Sequence, residues 1–237
     1  MPLDDNITFA EYIWIDGSGK TLRSKTKTYL NKISKLEDLE WWTYDGSSCL
    51  QAVTGDSEIW LKPVCYVKDP FRANCNAILV LCETFTHDKV TPARFNFRHL
   101  AAKIMEEAKS EDPWFGIEQE FFLYEKKRPY GWPAEGYPEP QLQYYCGVGA
   151  SNAIGRQIIE AAYRCFLYAG LKIAGINAEV APAQWEYQVG ITRGIECGDH
   201  MWLARYIVGR VAETYGCDCD FEPKPVKGTI KSLSNPR

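Results

Sequence analysis

The run Trp114-Phe115-Gly116-Ile117-Glu118-Gln119-Glu120-Phe121-Phe122-Leu123-Tyr124 reads as a strand, yet it spends two same-face positions on carboxylates. Alternate side chains of a strand share a face and lie about 6.5 Å apart. Two ionised groups so placed cost stability unless a cation compensates them. The spacing suits hard-oxygen ligands lining a pair of Mg²⁺ ions, and so points to a site that handles phosphate. An amphipathic strand with a wetted polar face produces the same pattern.

A second pair of acids lies in Ile176 to Gly190, where two short apolar stretches flank Ala181-Pro182-Ala183. This reads as strand, turn, strand. Such a hairpin places Glu179 and Glu186 on neighbouring strands facing one side, so that with Glu118 and Glu120 four carboxylates converge on one cleft. Only divalent cations or arginines make that cluster tolerable. The alternative for the segment is an ordinary exposed hairpin.

The first 90 residues are β-rich, with strands expected over Tyr12 to Ile15, Leu22 to Thr28, Glu58 to Val67 and Ala77 to Phe85, and a hairpin turn at Asp16-Gly17-Ser18-Gly19. The character changes at Thr91-Pro92, a helix-start signal for a helix reaching about Lys109. The expected domains are therefore 1–90 and 91–237. Further helices are expected over Ser151 to Tyr168, closing at Gly170, and over about His200 to Tyr215, closing at Gly216. Residues 128–146, with Pro129, Pro133, Pro138 and Pro140, read as a long irregular loop. The fold class is α+β.

A net charge of −4 over 237 residues, with scattered lysines and arginines, argues against nucleic acid as a partner. Nine cysteines without a regular framework suggest reduced thiols, and Cys217-Asp218-Cys219 lacks the second pair of a zinc site. No stretch reaches the length of a membrane span, and Met1-Pro2-Leu3-Asp4-Asp5 is unlike a signal peptide. A cytoplasmic protein without membrane contact is expected. His87 and His99 lack metal-site spacing, and His200 is explained as well by helix-start packing as by catalysis.

Six ordered motifs carry a resemblance to a known family. They are Trp41-Trp42-Thr43-Tyr44-Asp45-Gly46-Ser47-Ser48, Lys68-Asp69-Pro70-Phe71-Arg72, Pro113 to Glu120, Tyr144-Tyr145-Cys146-Gly147-Val148-Gly149-Ala150, Asn177 to Gln188, and Gly198-Asp199-His200. Together they resemble eukaryotic-type glutamine synthetase from about Tyr12 to Gly228. The resemblance implies a small N-terminal β-grasp domain followed by a catalytic domain with a curved antiparallel sheet and helices. It also implies ATP-dependent formation of glutamine from glutamate and ammonia through γ-glutamyl phosphate, with Mg²⁺ or Mn²⁺ as cofactor.

Carried over by position, Glu120, Glu179 and Glu186 resemble the ligands of one ion and Glu118 a ligand of the other; Glu186 is also placed among the catalytic residues. Asp45 resembles the family's catalytic aspartate, which reaches across a subunit interface to bind ammonium and take its proton. Trp114, Tyr144 and Gln188 resemble residues near the nucleotide or glutamate. A homo-oligomer, or co-assembly with a full-length paralogue, is implied.

After Gly228 the family continues with a glycine-rich segment bearing a metal-binding histidine and with substrate-binding arginines, whereas this chain reads Thr229 to Arg237. A C-terminally truncated member with an incomplete catalytic domain is expected. The alternative function is a catalytically inert subunit that associates with full-length enzyme. Smaller departures are Gln141-Leu142-Gln143, where a Gly-Pro step is expected, and Ile191-Thr192-Arg193-Gly194 in place of a Pro-Cys-type turn.

Overall fold

The computed structural model describes residues 4–226. Thr229 to Arg237, where the resemblance ends, and the first residues of the acidic start lie outside the described residues. The fold is mixed α+β, in two compact units. One runs up to Trp114 and adds Tyr168–Gly170 and Arg193–Asp199; the other holds Phe115–Leu167, Leu171–Thr192 and the chain from His200 onward. No helix among the described residues is long and apolar enough to cross a membrane.

The first unit is built on β1 (Thr8–Ile15), β2 (Leu22–Tyr29), β3 (Trp42–Asp45), β4 (Glu58–Lys68) and β5 (Asn76–Phe85), in the sheet order β2-β1-β5-β4-β3. β1 lies antiparallel to β2 and parallel to β5. Alternation decides the faces. Ala10, Tyr12 and Trp14 of β1 join Tyr29, Ile59, Leu61 and Val80 in a core cluster. The edge strand β2 carries Arg23, Lys25 and Lys27 at alternate positions, a charge pattern that discourages edge-to-edge pairing.

Helix α1 spans Phe97–Glu107 and so starts later than the Thr91-Pro92 signal suggests. Thr91 is used to close a turn instead. The Asp88 carboxylate accepts from the backbone of Val90 and Thr91, both at 2.8 Å, and Pro92 bridges to Phe85 in extended form. Asn96 then caps the helix by accepting from the His99 amide at 3.4 Å.

The second sheet comprises β6 (Trp114–Glu125), β7 (Arg128–Pro129), β8 (Ile173–Ala178), β9 (Gln184–Arg193) and β10 (Asp218–Asp220), in the order β10-β6-β9-β8 with β7 also on β6. β10 and β7 pair antiparallel with β6, and β8 with β9. Helices α2 (Arg156–Ala169) and α3 (Glu196–Thr214) supply the apolar layer against one face of this sheet. Phe121 of β6 and Phe166 of α2 both stack on Tyr187 of β9, with ring centroids 6.0 and 5.1 Å away. Odd-numbered positions of β6 and β9 therefore face the helices, and even-numbered positions face the other way.

α2 begins at Arg156, five residues after the expected Ser151. Gly155 before it has φ +87°, and a Cβ there would lie 2.5 Å from Leu123 Cδ1. Only glycine fits that entry. The predicted stop holds: Gly170 is left-handed and Leu171 donates to the Phe166 carbonyl at 3.0 Å. α3 starts at Glu196, earlier than expected, because Gly198 and Asp199 lie within its first turn.

Tyr187 sits at the centre of this core, yet its buried hydroxyl has no hydrogen-bond partner among the described residues. A polar group desolvated in this way costs about 1–3 kcal/mol. Tyr187→Phe is expected to leave stability unchanged or raise it by about 1 kcal/mol. Urea unfolding of the two proteins checks this, and a clear loss of stability would contradict it.

Candidate metal centre

The sheet face turned away from the helices gathers the acids. Glu120 lies in β6, and Glu186 in β9 stands opposite Asn177 of β8. Glu179 follows the end of β8, where its amide bonds to the Gln184 carbonyl at 2.9 Å and so continues the register into the turn. The Ala181-Pro182-Ala183 break closes that turn, with Ala183 at φ +63° and Gln184 donating to the Ala181 carbonyl at 3.1 Å. Oxygens of Glu120, Glu179 and Glu186 then lie within 4.8 Å of one another, and Glu179 and Glu186 are buried.

Neutral amides orient these carboxylates. Gln184 Nε2 donates to Glu120 at 2.7 Å, while Asn177 Nδ2 and the Val180 amide donate to Glu179 at 3.2 and 3.0 Å. Gln188 Nε2 donates to Glu186 and, at 2.6 Å, to Asn177 Oδ1. None of the three acids is paired with a lysine or arginine among the described residues. Burial, the hydrogen bond with Glu186 and the charges of Glu120 and Glu186 push the Glu179 carboxyl up to about 7.

Three carboxylates gathered without a cationic side chain among the described residues fit a divalent cation. The donors are all hard oxygens, the set suited to Mg²⁺ or Mn²⁺. A cation and the proton on Glu179 then compete for the same oxygens. Divalent-cation affinity is therefore expected to rise between pH 6 and pH 8, which titration calorimetry at the two pH values checks. The sign for stability is opposite in the metal-free chain. Because the folded carboxyl holds its proton above the ordinary 4.5, the Glu179 contribution falls as pH rises toward 7.

The other sequence-chosen residues are distributed as follows. Glu118 is exposed on the same strand face, two residues before Glu120, and is outside the three-acid group. Gln188 borders the group directly through Glu186. Tyr144 is buried, and its hydroxyl accepts from Gln143 at 3.1 Å. The next residues are pinned beside Glu179, because the Cys146 amide donates to the Ala178 carbonyl at 3.0 Å. The exposed Tyr145 phenol is pushed up by Cys146 and further by Glu179 and Glu186.

Trp114 and Asp45 are described within the first unit. Trp114 is exposed, donates to Asp112 at 2.9 Å and carries the Arg193 guanidinium 5.6 Å over its ring. Asp45 ends β3 and caps a single 3-10 turn, accepting from the Ser47 amide and hydroxyl at 3.0 and 2.6 Å and from the Ser48 hydroxyl at 2.8 Å. Those hydroxyls hold its carboxyl below the ordinary value, so it stays ionised. None of the three histidines belongs to the acid group; His200 Nδ1 accepts from the Lys172 amide at 3.0 Å.

Sequence reasoning did not single out Tyr145, Asn177 or Gln184. Asn177 and Gln184 were legible in principle, since Asn177-x-Glu179 and Gln184-x-Glu186-x-Gln188 alternate amide and acid at strand spacing.

Residues 95–234 match the glutamine synthetase catalytic domain, more than half of the chain. The chain belongs to the glutamine synthetase family. It is 52% identical to the glutamine synthetase of Hebeloma cylindrosporum over 229 residues, covering 96% of this chain and 64% of that protein. Identity is 54% to the enzyme of Neurospora crassa and 53% to that of Saccharomyces cerevisiae, each covering 92% of this chain and 60% and 59% of those proteins. The chain thus spans about 64% of the length of the Hebeloma relative. Glu118, Glu120, Glu179 and Glu186 all fall inside the matched glutamine synthetase domain, as do Trp114, Tyr144 and Gln188; Asp45 precedes it.

Proposed function

We propose that this chain is a subunit of a glutamate–ammonia ligase, and that Glu120, Glu179 and Glu186 hold one divalent cation, Mg²⁺ or Mn²⁺, with Glu118 contributing to a second. The observation that carries this reading is the convergence of three carboxylates, two of them buried, inside the residues matched to the catalytic domain. Charge neutralisation on phosphate oxygens is the chemistry that such a cation supplies when bound. The protein's own work is to position and to move protons. Asn177, Gln184 and Gln188 aim the carboxylates, and Glu179 gives up its proton when the site fills.

In the reaction so assigned, glutamate attacks the terminal phosphate of ATP to give γ-glutamyl phosphate and ADP, and ammonia then displaces phosphate. Asp45, held ionised by Ser47 and Ser48, is suited to attract ammonium and accept its proton from a neighbouring subunit. Tyr144 and Gln188 are assigned to the binding of glutamate or nucleotide, and Trp114, in the first unit, separately to the same substrates. A cytoplasmic homo-oligomer, or a mixed assembly with a full-length paralogue, is the corresponding setting.

Glutamine formation from glutamate, ammonium, ATP and Mg²⁺ by the purified chain tests the proposal. Turnover abolished by Glu186→Ala supports it. No turnover in a chain that binds Mn²⁺ and co-purifies with a full-length relative would instead assign an inert subunit.

A further inference from the structure

Arg205 of α3 lies on the helix-covered side of the second sheet and has no carboxylate partner among the described residues. A half-buried guanidinium without an anion is costly unless its donors and its flat faces are used. Both are used here. Arg205 Nε donates to Gln119 Oε1 at 2.7 Å, and the guanidinium lies 4.7 Å from the Trp202 ring centroid and 4.8 Å from that of Phe221. Gln119 is buried, and its amide nitrogen donates to the main-chain carbonyl of Glu120 at 2.7 Å.

The two ends of the Gln119 amide are thereby fixed in one orientation, with oxygen toward the helix and nitrogen toward the peptide that bears a metal-ligating side chain. We infer that Arg205 is a positioning residue for the metal centre, acting through Gln119 to set the direction in which Glu120 projects on the opposite face of the sheet. The inference rests on the metal reading above. Its physical basis is that groups supporting a ligand from outside the coordination sphere set ligand direction, and their loss commonly weakens metal binding about 10- to 100-fold.

Arginine is suited to this role by shape. Its planar fork allows simultaneous stacking and a directed bond, whereas lysine keeps the donor and the charge but loses the stacking. Methionine fills similar volume with neither. Gln119→Met breaks the same relay at its middle, and so serves if Arg205→Met does not fold.

The test is Mn²⁺ binding, followed by the electron paramagnetic resonance signal of the free ion, in the wild-type chain, Arg205→Met, Arg205→Lys and Gln119→Met, each well below its unfolding midpoint. About tenfold weaker binding in both methionine variants is expected, with most of the affinity recovered in Arg205→Lys. Wild-type affinity in either folded methionine variant would overturn the inference while leaving the metal centre standing, because a merely structural role lowers the unfolding midpoint without moving the dissociation constant. Absence of Mn²⁺ binding by the wild-type chain would overturn the metal reading itself and the inference with it.

Discussion

Glu186→Ala is expected to lose divalent-cation binding by more than the roughly 10- to 100-fold that follows loss of a supporting group. Glu186 is one of the three carboxylates whose oxygens gather within 4.8 Å of one another among the described residues, and its own hydrogen bond helps raise the Glu179 carboxyl to about 7. Its removal therefore has two readouts. Cation binding disappears, and the carboxyl of Glu179 titrates closer to its ordinary 4.5. Glu186→Gln separates chemistry from folding. Its amide oxygen still accepts from Gln188, and a buried like charge is gone, so the metal-free protein is expected to be at least as stable as wild type while binding no cation. Retained Mn²⁺ binding in either variant contradicts the ligand assignment.

Arg98→Met is expected to destabilise the chain by about 3–5 kcal/mol, the usual consequence of removing one partner from a buried ion network. Arg98 of α1 makes a two-pronged contact to Asp199 of α3, at 2.7 Å from both Nε and Nη2, and a third bond to Glu83 of β5 at 2.8 Å. Both carboxylates are buried, and His99 Nδ1 lies 3.6 Å from Glu83. Methionine leaves two buried anions without their guanidinium. Arg98→Lys keeps the charge but loses the fork, and should cost less. Urea unfolding at neutral pH measures both; a change below about 1 kcal/mol for Arg98→Met would show the network to be solvated and weak.

The parts of the fold that the sequence announced are those where local and tertiary signals agree. The strand carrying Glu118 and Glu120, the hairpin around Ala181-Pro182-Ala183, and the glycine stops at Gly170 and Gly216 depend on neighbours within a few residues. Helix starts were less legible. Thr91-Pro92 has the composition of an N-terminus, but Asp88 draws Thr91 into a turn and Phe85 pairs with Pro92, a competition that involves a strand earlier in the chain. Similarly, Gly155 takes a left-handed φ of +87° that no helix continues through, so α2 starts after it. β3, Trp42–Asp45, went unread as a strand because four residues carry little periodicity, and pairing with β4 decides it.

The family was legible because its motifs are long and ordered. The acid cluster was foreseen as four carboxylates; the structure groups Glu120, Glu179 and Glu186, with Glu118 beside them on the strand. The Tyr145 phenol is pushed up by Cys146 and further by Glu179 and Glu186, and the loop that carries it is tied by the hydrogen bond from Cys146 to Ala178, which no local pattern announces.

The most direct test of the metal centre is a crystal of this chain soaked in Mn²⁺ at pH 8 and measured at the manganese absorption edge. The account predicts an anomalous peak bounded by the carboxylates of Glu120, Glu179 and Glu186. An ordered site with no peak there would contradict it.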